Sequence, residues 1–515
     1  MTAASSASWL SRLPLAGGAV ALIVTLTLWL SNMGRVPYED ALPTIAFILG
    51  LAALAVLALR PGAGSWARAG LMSGIAAVYI LYVPVAVFAI STAPWLHAVL
   101  LFLAGVAAVL AARRIPRDMP ALLTLNRKIN LILVAVAVGI AGVALFRQVD
   151  LERQRPAPDQ LFAAFEGRAS AASPDVWHLI FDRYGNSATL ANAYGYDNGP
   201  FLAALRARGF AVDEGAFSNY QRTGHSVAST LNASYLDPLS GRANPADWVP
   251  LYRSMTSNQA LRFFERQGYD TVFAGSWWNP TRASALADRN INYRALPELG
   301  RLVLAQSAVG FAMDQLALPY GDGREDQCRR AGHKFDRLRA LAGDSGRKYV
   351  FAHFLVPHPP FVLNADGSCR SLAEATAASR RDNYVAQIEY TNREMLRLVD
   401  AVLAGPRPAV IVLHSDEGPW PEPYVGDERF LGRDPVAVDW TNLGRAQLAE
   451  KMGVLMAIRH VDGVPAAAPA SPVNVYPTIL RAYFGSPIPD PAPRHFVFES
   501  DAALYSFKDV APDLE

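Results

Sequence analysis

The chain has 515 residues, 52% of them hydrophobic and 18% charged, with a net charge of +2 and a mean hydropathy of +0.15. This balance is too apolar for an ordinary soluble enzyme, and a near-neutral chain with no basic run is not an electrostatic nucleic-acid binder. The length requires more than one domain.

The apolar excess lies at the start. Leu13–Leu30, Ala41–Leu59, Ala69–Ile90, Trp95–Ala112 and Ile129–Phe146 contain no Asp, Glu, Lys or Arg and are long enough to span a bilayer. A buried soluble helix would carry a polar face, and these carry almost none. They predict an N-terminal transmembrane bundle of five helices over residues 1–150. With the N-terminus inside, the inner loops hold Arg12, Arg60, Arg68, Arg113, Arg114, Arg117, Arg127 and Lys128, against Arg35 and Arg147 outside. Five crossings then put everything after residue 150 outside the cytoplasmic membrane, in the periplasm or cell exterior. Residues 151–172 read as a juxtamembrane connector, with Leu161–Phe165 either a lipid-facing turn or an ordinary linker helix.

From 173 to 510 strand alternates with helix: strand Val176–Phe181, helix Asn198–Arg208, strand Phe210–Val212, helix Ser226–Leu236, helix Asn258–Gln267, and strand Thr271–Ala274. Then come strand Lys348–Leu355, helix Arg380–Leu403, strand Ala409–Leu413 and strand Val454–Ile458. This alternation predicts an α/β domain with a mostly parallel sheet flanked by helices. Cys328 and Cys369 are disulfide candidates if that domain lies in an oxidising compartment.

Four places carry chemistry. The first strand ends in Asp182, and Ile411–Leu413 runs into Asp416, Glu417 and Gly418. Two such strand ends could give one cation three carboxylates. Thr223 lies before the helix Ser226–Leu236, so its hydroxyl is either a nucleophile beside helix N–H groups or one more turn residue, while Ser226 reads as the N-cap. His353 and His358 flank a strand end, the second within Pro357-His358-Pro359-Pro360. Imidazoles there suit metal ligation, anion binding or protonation of a leaving oxygen. Trp277, Trp278, Arg282 and Arg289 either contribute to substrate choice or belong to a surface insertion.

In combination, Asp182, Thr223 about forty residues later, His353-x-x-x-Pro357-His358-x-Pro360-Phe361 and Ser415-Asp416-Glu417-Gly418 resemble the sulfatase-like branch of the alkaline phosphatase superfamily. The architecture is similar to membrane-anchored phosphoglycerol and phosphoethanolamine transferases of the lipoteichoic acid synthase type. The resemblance implies Thr223 as nucleophile, and Asp182, Thr223, Asp416 and Glu417 as ligands of one divalent metal ion. It gives His358 and His353 to the substrate phosphate or the leaving group, with Arg222 and Trp277 as further substrate-binding candidates. Three departures matter. Glu417 stands where many relatives have His, a harder site that favours Mn²⁺, Mg²⁺ or Ca²⁺ over Zn²⁺. Arg183 stands where many have a second acid, which favours one metal over two. No Cys-x-Pro-x-Arg type motif surrounds Thr223, which disfavours sulfate-ester hydrolysis. The implied function is transfer of a phosphate-linked head group from a phospholipid donor to an envelope glycan or lipid acceptor. The alternatives are a phosphodiesterase or phosphatase using water, and a catalytically silent envelope-assembly protein.

Overall fold

The computed structural model describes residues 9–90, 93–316, 318, 323–421, 439–465 and 467–514. Its apolar N-terminal segments are all helical. Tyr38–Ala63, Trp66–Ile90, Pro94–Arg113 and the helix that begins at Met119 are long and apolar enough to cross a membrane, and Ala16–Asn32 is a shorter apolar helix of 17 residues. The expected count of five is therefore four full-length spans and one short helix. The short one starts three residues later than read because Pro14 keeps Leu13 out of helical geometry. Many large apolar side chains of these helices, such as Phe102, Ile132 and Phe146, stay exposed, as lipid-facing residues do.

The chain divides into two compact units. The first comprises the described residues of Met1–Arg153 and of Leu296–Pro319. The latter stretch contributes helices Glu298–Ala305 and Ala308–Gln315. Leu299 and Val303 are buried with Leu26 and Trp29, and the Leu299 N–H donates to Asp40 Oδ2 at 3.2 Å. This segment thus packs with the apolar helices.

The second unit begins at Gln154, so the connector is part of it. Arg155 is paired with Asp247 at 2.6 Å, and Leu161, Phe162 and Phe165 are buried in the same core as Val176 and Ile180. They face neither lipid nor solvent, because their apolar side chains complete the cover of the sheet.

That sheet has seven strands: β1 (Asp175–Phe181), β2 (Phe210–Asp213), β3 (Asp270–Ala274), β4 (Arg289–Ile291), β5 (Lys348–Phe354), β6 (Ala409–His414) and β7 (Met456–Arg459). Their order is β2-β7-β6-β1-β5-β3-β4. Only β7 runs against the rest, antiparallel to both β6 and β2. The central strands β1, β5 and β6 are buried throughout, which is why they read as unbroken apolar runs. Their side chains alternate between two cores. Val176, Ile180, Tyr349, Phe351, Val410 and Val412 enter one, and Trp177, Leu179, Phe181, Val350, Ile411 and Leu413 the other. Cys328, on helix Arg324–Ala342, is disulfide-bonded to Cys369, with Cα atoms 5.6 Å apart.

Candidate active site

Three adjacent parallel strands place the central residues. β6, β1 and β5 are neighbours, and Asp416, Asp182 and His353 stand at or just beyond their C-terminal ends. Ligand atoms of Asp182, His353 and Asp416 all lie within 4.8 Å of one another, and all three residues are buried. His353 Nε2 is 3.6 Å from Asp182 Oδ2. The other ring nitrogen, Nδ1, lies 2.9 Å from Thr281 Oγ1, which in turn contacts Ser276 Oγ at 2.8 Å. Thr281 therefore orients the imidazole with Nε2 facing the acids.

The electrostatics are those of a site short of positive charge. Burial raises Asp416 to about 7, helped by repulsion from Asp182 and Glu417, while His353 and a hydrogen bond from Thr223 pull the other way. Burial lowers His353 to about 4, so its ring is neutral at pH 7. Asp416 Oδ2 and His353 Nε2 are buried without a hydrogen-bond partner. Orphaned buried atoms of this kind cost on the order of 1–3 kcal/mol each. Two carboxylates and a neutral imidazole fit a divalent cation.

Glu417 does not join this group. Its Oε1 receives Arg183 Nε at 2.9 Å, Lys451 Nζ at 2.9 Å and Trp420 Nε1 at 3.4 Å. Burial alone would raise this carboxyl, but Lys451 and Arg183 hold it below its ordinary range. The group brought together is Asp182, His353 and Asp416, so His353 joins the candidate ligands, while the expected ligand Glu417 has its Oε1 taken up by Arg183 and Lys451. The preference for hard Mn²⁺, Mg²⁺ or Ca²⁺ rested on a third carboxylate, and this group supplies two carboxylates and an imidazole.

Arg183 reaches Glu417 through an unusual backbone. Its φ of 62° lies in the left-handed region, costly for a residue with a Cβ. Neighbouring bonds fix it there: Tyr384 OH donates to the Arg183 carbonyl at 2.6 Å, and the next amide, of Tyr184, donates to Ser415 Oγ at 2.9 Å. The guanidinium lies 4.9 Å from the centre of the Trp420 ring, which also faces Arg222 at 4.8 Å and Lys451 at 5.1 Å.

Thr223 is the first residue of helix Thr223–Asn232, with Arg222 at the N-cap position and no side chain capping the end. The helix thus starts three residues earlier than read, and Ser226 is interior, its N–H bonded to the Arg222 carbonyl at 3.0 Å. Gly224 did not mark a loop: it packs under Leu251, where a Cβ would come within 3.0 Å. Thr223 is half-buried, and its hydroxyl hydrogen-bonds to Asp416. Nucleophile candidate and metal candidates therefore converge, with Arg222 alongside.

Of the expected substrate-binding residues, His358 has its Nδ1 bonded to the Pro359 carbonyl. Trp277 lines a small cavity with Lys334, Phe354 and Pro359. The neighbouring Trp278 faces the site, its ring centroid 6.2 Å from that of His353 and one ring carbon 3.7 Å from where a Gly224 Cβ would stand. Thr281 and Lys451 were not singled out as site residues from sequence. Thr281 carried no signal there, and Lys451 sits in helix Arg445–Met452 among ordinary surface residues.

The family model described as Sulfatase matches residues 174–485. No curated protein matches the chain. Similar solved structures include the C-terminal periplasmic domain of EcEptC from Escherichia coli in complex with Zn, 11% identical with a TM-score of 0.42, covering 64% of this chain and 86% of that one. Another is the integral membrane protein lipooligosaccharide phosphoethanolamine transferase A from Neisseria meningitidis, 12% identical with a TM-score of 0.39, covering 92% and 95%.

Proposed function

The chain belongs to the sulfatase family, and on that premise we propose that it is a membrane-anchored, metal-dependent transferase. It moves a phosphate-linked head group, such as phosphoglycerol or phosphoethanolamine, from a phospholipid donor to an envelope glycan or lipid. The observation that carries this reading is Thr223: a half-buried hydroxyl at an uncapped helix start, bonded to Asp416 within the Asp182–His353–Asp416 group. Membrane helices suit a lipid donor, since they anchor the enzyme to the bilayer that contains it. We assign the N-terminus to the cytoplasm and the α/β unit to the periplasm or exterior, from the excess of Arg and Lys in alternate loops.

Asp182, Asp416 and His353 would hold one divalent ion, with Thr223 Oγ beside it. When bound, that ion lowers the pKa of the hydroxyl and offsets charge on the phosphoryl oxygens. Thr223 Oγ attacks the donor phosphorus, and the Oγ–P bond forms as the bond to the lipid alcohol oxygen breaks. The hydroxyl proton leaves along the hydrogen bond to Asp416 and passes to the departing alcohol. Arg222 and the helix N-terminus hold the phosphoryl oxygens in a fixed positive field. An acceptor hydroxyl then attacks the same phosphorus and releases Thr223, so one P–O bond is exchanged for another at each half-reaction.

Mass spectrometry of the full chain, purified from membranes, tests this. A glycerophosphoryl or ethanolamine-phosphoryl mass on Thr223, absent from Thr223→Ala, is expected. An unmodified Thr223 under trapping conditions overturns the covalent mechanism, and release of free head group without any acceptor turns the reading to a hydrolase.

A further inference from the structure

The core beneath the site is polar where an apolar core is expected. His178, His414, Tyr349 and Tyr476 are all fully buried. Tyr349 OH lies 2.6 Å from Tyr476 OH, Tyr476 OH 2.8 Å from His178 Nδ1, and His178 Nε2 2.7 Å from His414 Nε2. His414 Nδ1 ends the series, 2.8 Å from the Ser415 carbonyl.

The direction of every proton in this series follows from its last link. A carbonyl only accepts, so His414 Nδ1 carries a hydrogen. A neutral His414 then offers Nε2 as an acceptor, and His178 must donate to it from Nε2. That leaves His178 Nδ1 to accept from Tyr476, and Tyr476 to accept from Tyr349. The reverse arrangement needs a cationic imidazole, and a charge on a fully buried ring that faces another imidazole is costly. One arrangement of protons satisfies all four side chains.

The placement is regular. Tyr349 and His353 lie four residues apart on β5, His178 and Asp182 four apart along β1, and His414 and Asp416 two apart at the end of β6. Even spacing on a strand puts each pair on one face of the sheet. Each of the three strands that carries a candidate ligand therefore also carries one relay residue a layer below it. Helix Val475–Phe484 supplies the fourth, Tyr476, between Tyr349 and His178. The relay ends on Ser415, whose hydroxyl donates to the Glu417 carbonyl at 2.8 Å and accepts the Tyr184 N–H at 2.9 Å. Backbone hydrogen bonds align β5, β1 and β6, and the relay adds side-chain links across all three.

We infer that Tyr349, Tyr476, His178 and His414 are positioning residues, a one-way hydrogen-bond relay that ties β5, β1 and β6 together and fixes the spacing of His353, Asp182 and Asp416. What the fixed site then does rests on the function proposed above; the relay itself does not.

The test uses the full chain labelled with ¹⁵N-histidine and read by solid-state NMR at pH 7, with His178→Gln and His414→Gln assigning the signals. His178 protonated only at Nε2 and His414 only at Nδ1 is the expected result. Tyr476→Phe removes one hydroxyl from the relay. It is expected to shift the His178 Nδ1 resonance and to weaken Mn²⁺ binding about tenfold, the usual scale for losing an outer hydrogen bond of a metal site. At saturating Mn²⁺ the Thr223 adduct should return, since the relay touches no substrate. His414→Gln, which can donate and accept as His414 does, should bind Mn²⁺ better than His414→Leu. If the leucine variant does not fold, Tyr476→Phe carries the test. Identical tautomers at the two rings, a cationic ring, or native Mn²⁺ affinity in Tyr476→Phe would overturn the relay. A missing adduct in the native chain would instead overturn the proposed function and leave these readouts standing.

Discussion

Replacing Glu417 by Gln separates two accounts of the residue. A metal ligand would take the metal with it, whereas the counter-ion of Arg183 and Lys451 would leave two buried cations uncompensated. The cost of the second can be worked out. Burial lowers Lys451 to about 8, with Glu417 opposing that shift, so at pH 7 it is still charged. Relative to an exposed lysine near 10.5, that charge already costs about 3 kcal/mol, and holding the amine neutral at pH 7 would cost about 5 kcal/mol. Loss of Glu417 therefore costs at most about 1–2 kcal/mol through Lys451, which escapes by shedding its proton. Arg183 cannot shed one, and its lost charged hydrogen bond costs about 1.5–3 kcal/mol. The expected total is about 3–4 kcal/mol, in line with breaking other buried pairs. At roughly 2 °C per kcal/mol, thermal unfolding of the metal-free protein should drop by about 6–8 °C. The variant also acquires a slope. Its Lys451 is neutral in the fold and charged when unfolded, so stability rises with pH through neutrality. Adding Lys451→Met to Glu417→Gln should recover part of the loss. An unchanged melting temperature together with lost bound metal would refute the reasoning and return Glu417 to the ligand set.

Three further outcomes follow from the packing. Gly418→Ala places a methyl within 2.8 Å of the Lys451 and Gly453 carbonyl oxygens, so it should destabilise the protein by about 1–3 kcal/mol in thermal unfolding and push Lys451 away from Glu417. Cys369→Ser opens a disulfide loop with a sequence separation of 41. Loop-closure entropy puts that cost near 4 kcal/mol, and a melting temperature equal to that of the native chain under oxidising conditions would contradict it. His353 and His414 are lowered to about 4 and His225 to about 3, chiefly by burial. For a depressed histidine the stability present above pH 6.5 is lost as pH falls. The chain should therefore weaken by about 1.4 kcal/mol per pH unit for each of these rings below 6.5. Flat stability from pH 6.5 down to 4.5 would show that the rings are solvated.

The strands of the site were legible because burial on both faces leaves an apolar run with a sharp end, as at Phe181 and His414. β4 was not, since Arg289–Ile291 is short and polar and pairs only with β3 at the sheet's margin. The helix start at Thr223 was hidden by Gly224, which reads as a loop residue and serves as a packing contact. His353 and Asp416 were legible as candidates, but adjacency in sequence says nothing about which partner each of two neighbouring acids will meet, so the pairing of Glu417 with Arg183 and Lys451 was not. The packing of residues 296–319 with the apolar helices was hidden because short amphipathic helices look alike whether they pack on a sheet or on membrane helices. Lys451 was invisible for a related reason. One lysine on an amphipathic helix reads as solvated until the fold turns it inward.

Glu417 also accounts for how Arg183 is accommodated in a buried position. An acid at 183 would add a carboxylate to Asp182 and Asp416, and the site would need further positive charge. Here a cation is covalently attached instead. Arg183 takes a left-handed backbone, held by Tyr384 and Ser415, and its guanidinium packs on Glu417 and Trp420. Lys451 closes the same carboxylate from the other side, against the same indole. Arg183 and Glu417 thus compensate each other in this buried position. Together with Lys451 they leave a local surplus of positive charge beside Thr223, and among the described residues Asp182, His353 and Asp416 form the group that could hold a metal ion.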